Sequence, residues 1–190
     1  MMDVDGVILA AGYSSRANAF KMELEINNKP ILQRCIEALY DNCNNIIVVS
    51  GYKHEKINRL VENYTKAKVV YNDEFHKGMF SSIKKGIRDV TASKFLLTPG
   101  DYPLINKDII EKLLSEEKEI IIPSFNMRGG HPILLGRNLI REILQEPDDS
   151  NLKKYLSKKQ CSYLNIDDKG ILLDVDTMED YENVKNIIEK

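Results

Sequence analysis

The order of apolar runs along this chain predicts an α/β protein: an open, mostly parallel central sheet with helices on both faces. Three observations carry that expectation. Short runs of Val, Ile and Leu recur at 5–10, 45–50, 68–71, 94–98 and 119–123, apolar on both sides as buried parallel strands require. Segments with helical spacing stand between them, giving a β-α-β-α order. No Pro- or Ser-rich linker, repeat or low-complexity tract interrupts the 190 residues, so 1–190 reads as a single domain.

Each element has its own local reason. Pro30 opens a helix whose Ile31, Leu32, Cys35, Ile36 and Leu39 form one apolar stripe. Ile57, Leu60 and Val61 predict a second helix over 54–64, and Ile83 and Ile87 a third over 80–90. Ile109, Ile110, Leu113 and Leu114 predict a fourth over 107–114. The last third is less regular. It suggests a short strand at 132–135 after two glycines, helices at 138–144 and 151–156, and short strands at 162–166 and 170–175. Tyr181, Val184, Ile187 and Ile188 define a closing helix over 179–188.

Composition narrows the function. With 43% hydrophobic and 29% charged residues the chain is of ordinary soluble, globular type. A formal charge of −2 argues against a broad nucleic-acid surface. No stretch approaches the roughly 18–20 apolar residues that span a bilayer. Met1-Met2-Asp3-Val4-Asp5 lacks the basic and apolar regions of a signal peptide. Cys35, Cys43 and Cys161 are odd in number and show no metal-like pairing, so the expected setting is a reducing cytoplasm with free thiols used in packing.

In a doubly wound sheet ligands sit beyond the carboxyl ends of the strands. The first strand ends in V-I-L-A-A-G (7–12), followed by Y-S-S-R, with Lys21 five positions after Arg16. Ala10, Ala11 and Gly12 leave room for a ligand at the backbone, whose N–H groups form an anion-binding concavity. Arg16 and Lys21 add full charges. Neither G-x-x-x-x-G-K-[ST] nor G-x-G-x-x-G is present. An ordinary strand-to-helix turn with solvated cations remains the competing reading. The fourth strand runs into T-P-G-D-Y-P, where Asp101 either caps the turn or holds a hard cation such as Mg²⁺.

Further along, L-L-D-V-D-T-M-E-D-Y sets Asp174 and Asp176 on an expected strand end, read as pointing to opposite faces. Asp176, at the strand-to-helix junction, is then the second metal ligand, and Asp174 is solvated or a weaker substitute. Thr177 is the expected N-cap of the last helix, with Asp180 at N3. Gly78, Ser81 and Ser82 precede or open a helix and serve either as caps or as contacts to a base, ribose or phosphate. In M-R-G-G-H-P (127–132), Arg128 and His131 flank two glycines that permit close approach.

Taken in order, L-A-A-G-x-S-x-R with its following Lys, then G-D-x-P, R-G-x-H-P and D-x-D-T-x-E-D resemble the nucleotidyltransferases of molybdenum cofactor maturation. The likeness runs from Val7 to Asp180. The first two motifs are shared with sugar-phosphate and terpenoid-precursor nucleotidyltransferases, while G-M-F-S-S-I-K-K-G-I and R-G-G-H-P point to the molybdenum branch. The resemblance implies a Rossmann-like, nucleotide-diphospho-sugar transferase-like fold, Mg²⁺, and attack of a substrate phosphate on the α-phosphorus of a nucleoside triphosphate. By position it implies that Leu9, Ala10, Ala11, Gly12 and Ser14, with Arg16, contact the nucleotide and its phosphates. Pro99 and Gly100 join them, and Gly78, Ser81 and Ser82 meet base or ribose. Lys21 neutralises charge during transfer, Asp101 and Asp176 hold the metal, and Arg128 and His131 line the acceptor pocket.

Three departures from the family stand out. Ala17-Asn18 replace a usual Met-Gly, Met178 replaces a usual Pro, and Asp148-Asp149-Ser150-Asn151 stand where Gly-Asp-x-Gly is usual. The last of these bears on the acceptor. Ala11 in the middle of the first loop resembles the cytidylyl rather than the guanylyl branch, which favours CTP. The expected partners are therefore CTP, molybdopterin and, transiently, a molybdoenzyme or its chaperone, with no nucleic acid and no membrane. Two other classes stay open: a nucleotidyltransferase acting on a sugar phosphate or another phosphorylated alcohol, and a non-catalytic nucleotide- or cofactor-binding module.

Overall fold

The computed structural model describes residues 3–13 and 19–189. In chain order it contains β1 (Val4–Ala10), the short pair β2 (Glu25–Ile26) and β3 (Lys29–Pro30), α1 (Ile31–Tyr40), β4 (Ile46–Ser50), α2 (His54–Val61), β5 (Ala67–Tyr71) and α3 (Met79–Ile87). There follow β6 (Lys94–Pro99), α4 (Lys107–Leu114), β7 (Ile120–Phe125), β8 (Arg128–Gly129), β9 (Ile133–Gly136), α5 (Ile140–Gln145), α6 (Leu152–Leu156), β10 (Ser162–Asn165) and α7 (Met178–Ile188). The main sheet has the order β10-β7-β9-β6-β1-β4-β5, with β8 paired to β7. Strands β5, β4, β1 and β6 are parallel, as are β10 and β7, and β9 runs antiparallel between β6 and β7. The expected mostly parallel α/β sheet is what the molecule has.

The central strand shows why helices cover both faces. Val4, Ile8 and Ala10 of β1 pack with Leu32, Ile36 and Leu39 of α1, Ile57 of α2 and Leu113 of α4. Val7 and Leu9 pack the other way, with Ile83 and Ile87 of α3, Ile143 of α5 and Leu156 of α6. The strand period of two thus feeds two cores at once. Val7 and Ile8 are fully buried, a gain of about 2 kcal/mol each. Gly86 lets α3 lie close on the sheet: a Cβ there would stand 2.5 Å from Val49 Cγ2 and 2.8 Å from Val7 Cγ1. Asp5 is buried at the start of β1 yet accepts from Asn45, Thr91 and Ala92, so although burial opposes its charge, these bonds hold its pKa below the usual carboxylate value. That one carboxylate ties the entries to β4 and β6 to β1.

Some expected boundaries move. The helix expected over 54–64 ends at Val61 because the chain turns at Tyr64 to enter β5. The one expected over 80–90 ends at Ile87, and Val90 is buried in the turn that brings Thr91 and Ala92 to Asp5. The expected strand at 170–175 is absent. Lys169–Leu172 form one 3₁₀ turn and the chain then runs extended, outside the sheet, held by Val175 N donating to Asp101 O at 2.9 Å. Its apolar residues reflect packing beneath α7: Val175 is fully buried with Ile26, Ile31 and Val184. The β2–β3 hairpin was not anticipated, although Asn27 and Asn28, at φ 50° and 56°, form the left-handed pair a tight hairpin turn requires.

Candidate active site

β1 lies between β4 and β6, so the chain leaves it on one side and returns on the other. The crevice this creates opens at the carboxyl ends of β1 and β6. Gly100 N donates to Leu9 O at 2.9 Å and fixes the two strand ends against each other. A cleft of about 390 Å³ lies there, walled by Leu9, Ala10, Ala11 and Gly12 from one strand end and Pro99 and Asp101 from the other. Gly78 and Ser82 close it from the start of α3. Among the described residues a Cβ on Gly12 would meet no atom within 4 Å, which leaves room for a ligand beside it.

Lys21 and two aspartates meet in this cleft. Its ammonium donates to Asp101 Oδ2 at 2.7 Å and to Asp176 Oδ1 at 2.8 Å, with side-chain exposures of 10%, 16% and 33%. These residues are 80 and 155 positions apart from Lys21, so only the fold joins them. Asp176 is placed by its surroundings. Val175 is a buried peg, and the peptides of Asp176 and Thr177 donate to Asp180, which also completes the expected capping box with Thr177 at the start of α7.

The reading of Asp174 is corrected. Oxygens of Asp101, Asp174 and Asp176 all lie within 4.8 Å of one another, and all three residues are half-buried. The segment is not a sheet strand. In any extended chain, moreover, residues two apart project to the same side, so with Val175 turned inward its two neighbours share the outer face.

The electrostatics follow from burial and crowding. Burial, and then the Asp101 charge, push the Asp174 carboxyl above its ordinary pKa. Burial opposes the Lys21 charge, but Asp101 and Asp176 outweigh it and raise its pKa. Tyr102 is likewise raised by burial and by Asp174 and Asp101. Asp101 Oδ1 is buried and has no hydrogen-bond partner among the described residues. An orphaned carboxylate oxygen among three clustered carboxylates suits a hard divalent cation with oxygen ligands.

A larger cavity of about 890 Å³ adjoins the cleft and shares Leu9, Met79 and Pro99 with it. Its lining is mainly apolar, including Ile83, Ile122, Leu152 and Tyr163, with His131 on one wall. Burial pushes the His131 pKa down to about 4; its Nδ1 has no partner among the described residues and its ring meets Tyr102 at 4.9 Å between centroids. Gly130 makes this wall possible, since a Cβ there would stand 2.3 Å from Ile171 O.

Of the remaining expected site residues, Gly100 is buried behind Asp101, against Met22, Ile8 and Leu32. Ser81 does not line the cleft; it faces a neighbouring groove and donates to Gly78 O, while Asn72 Nδ2 reaches both Ser81 Oγ and Ser82 Oγ at 3.0 Å. Arg128 is exposed on β8, outside the larger cavity's lining although its neighbours Met127 and Gly129 belong to it. Ser14 and Arg16 lie outside the described residues. Cys35 and Cys43 are buried, and Cys161 lines the larger cavity. Sequence reasoning missed Tyr13, Phe75, His76 and Met79, which also wall the cleft. Tyr13 had a signal in its place directly after Gly12, and it packs on Phe75 and Tyr52 at 5.3 and 5.4 Å between ring centroids.

Known proteins resemble this chain in sequence and in fold. The molybdenum cofactor cytidylyltransferase of Escherichia coli (strain K12) is 30% identical over 97% of this chain and 97% of its own. A probable molybdenum cofactor guanylyltransferase of Bacillus cytotoxicus is 26% identical over 95% of this chain and 96% of its own. In three dimensions, a nucleotidyl transferase from Methanothermobacter thermautotroptrophicus superposes with a TM-score of 0.84 over 97% of this chain and 96% of its own, at 18% identity. No helix among the described residues is long and apolar enough to cross a membrane. Residues 6–162 match the model of the MobA-like NTP transferase domain, and the chain belongs to that family and is a nucleotidyltransferase.

Proposed function

We propose that this enzyme transfers CMP from CTP to the phosphate of molybdopterin cofactor and releases pyrophosphate, with Mg²⁺ as its metal. The observation that carries the reading is the pairing of a small charged cleft, where Lys21 meets Asp101 and Asp176 with Asp174 clustered beside them, with a large apolar cavity across a shared wall. Such a pair suits a triphosphate on one side and a ring-bearing acceptor on the other. In the reaction an acceptor phosphate oxygen forms a bond to the α-phosphorus, and the bond from that phosphorus to the pyrophosphate oxygen breaks. Little covalent work falls to the protein, so positioning and charge neutralisation dominate.

The chain's residues divide that work. The Ala10–Gly12 backbone receives phosphate oxygens, with Ser14 and Arg16 as further contacts of the same loop. Lys21 neutralises charge as the two anionic reactants approach. Gly78 and Ser82 face base or ribose, and Arg128 and His131 serve the acceptor side. Asp101, Asp174 and Asp176 would hold Mg²⁺, which supplies charge neutralisation and Lewis acidity when bound.

CTP is favoured by Ala11 and by the 30% identical cytidylyltransferase relative. GTP is the second reading, favoured by the 26% identical guanylyltransferase relative. Isothermal titration with CTP, GTP, ATP and UTP in the presence of Mg²⁺ tests the base, with CTP expected to bind most tightly. A preference for GTP overturns that choice. Pyrophosphate release with molybdopterin against a panel of phosphorylated sugars and alcohols tests the acceptor, and faster turnover on one of the panel overturns it.

A further inference from the structure

A groove of about 620 Å³ runs between α3 and α5, at the end of the sheet opposite the candidate cleft. Its position follows from Gly136, which pairs with Lys94 at the start of β6, whereas the cleft lies beyond that strand's end. The floor is apolar, with half-buried Ile140 and Leu144 over the fully buried Ile87, and the rim carries Arg88, Arg137 and Arg141. All three arginines are exposed, and none makes a side-chain hydrogen bond or ion pair with a described residue. No carboxylate lines the groove. The nearby acids are engaged elsewhere: Asp89 with Lys68, Glu142 with Lys159, and Glu119 with the Asn138 amide. In a chain of net charge −2, three unmatched guanidinium groups around an apolar floor are a local excess of one sign.

We propose that this groove docks an amphipathic helix of a partner protein, with apolar side chains on Ile140 and Leu144 and flanking Asp or Glu on the three arginines. The geometry favours a helix, because a groove between two helices accepts apolar residues at i, i+3 and i+4 spacing. Charge complementarity sets the flanks, since a guanidinium binds carboxylate through a two-pronged hydrogen bond. Docking here leaves the cleft and the larger cavity open, so it is compatible with turnover and stands apart from the choice of nucleotide and acceptor.

The test pans a phage-displayed random peptide library against the full chain and measures the resynthesised, fluorescein-labelled winners by anisotropy. The expected winners carry apolar residues at helical spacing flanked by Asp and Glu. Their affinity falls by about tenfold or more against the R88E/R137E/R141E variant and falls again as salt is raised. Unchanged pyrophosphate release by that variant reports an intact fold. If it is not intact, R141E alone reads the same shift on a smaller scale. Winners without acidic residues, winners that bind the variant as tightly as the parent, or winners displaced by CTP or by inorganic phosphate overturn the proposal.

Discussion

The cleft that holds Lys21 and the cavity that holds His131 share three wall residues, Leu9, Met79 and Pro99, yet treat their titratable groups in opposite ways. In the cleft, burial is answered by pairing. Asp101 and Asp176 accept hydrogen bonds from the Lys21 ammonium and raise its pKa. In the cavity, burial is answered by neutralisation, and His131 gives up its proton until about pH 4. A paired charge is ready to meet phosphate and a divalent cation, whereas a neutral ring against apolar walls is ready to position a partner without competing for charge. The division predicts that changes in the cleft strike turnover and changes in the cavity strike acceptor binding.

The largest expected effect tests the charged side. Asp101→Ala removes one of the carboxylates that Lys21 binds together with the orphaned buried oxygen, so pyrophosphate release at saturating nucleoside triphosphate and Mg²⁺ falls by roughly 10²–10³-fold or more. A thermal melt checks that the variant folds. Turnover close to the parent's would break the comparison at its root, since the cleft would then run without its central carboxylate.

Asp174→Asn sharpens it. Burial and the Asp101 charge already oppose this carboxylate, so its removal relieves repulsion in the metal-free protein. The expected outcome is a melting temperature a few degrees higher at neutral pH without divalent cation. The order reverses in excess Mg²⁺, because the parent then gains more from a bound ion. Turnover drops by roughly tenfold, less than for Asp101→Ala, because two carboxylates remain. Equal stabilisation of both proteins by Mg²⁺ would remove Asp174 from the ligand set.

What the sequence shows of this arrangement is what short-range pattern encodes. β1, its A-A-G ending and Asp101 were legible because an apolar run and the small residues after it are neighbours in the chain. The α7 cap was legible because Thr177 and Asp180 stand three apart. Asp174 was misread because a local rule for strands was applied, in the wrong sense, to a segment whose apolar residues serve packing beneath α7. The reversed direction of β9 had no local signature, since it depends on pairing with β6 and β7 on either side. The larger cavity had none either. Its wall gathers Leu9, Phe80, Leu97, Ile122, Leu152 and Tyr163 from the whole length of the chain, and each reads locally as ordinary core.

The smallest expected effect on chemistry tests the neutral side. The unfolded chain protonates His131 near 6.5, whereas the folded ring resists until about 4. Between those values the unfolded state binds the extra proton, so stability falls as pH drops through that window and is unaffected by this group above it. His131→Gln keeps a polar side chain of similar reach without a titrating ring. From pH 7 to pH 5 the parent is expected to lose about 1–2 kcal/mol more stability than the variant in denaturant titrations. At pH 7 the variant should raise KM for the acceptor severalfold and leave CTP affinity unchanged, because His131 walls only the larger cavity. Parallel stability profiles in acid would mean that the ring is charged in the folded state. The two cavities would then differ in size but no longer in the way they handle charge.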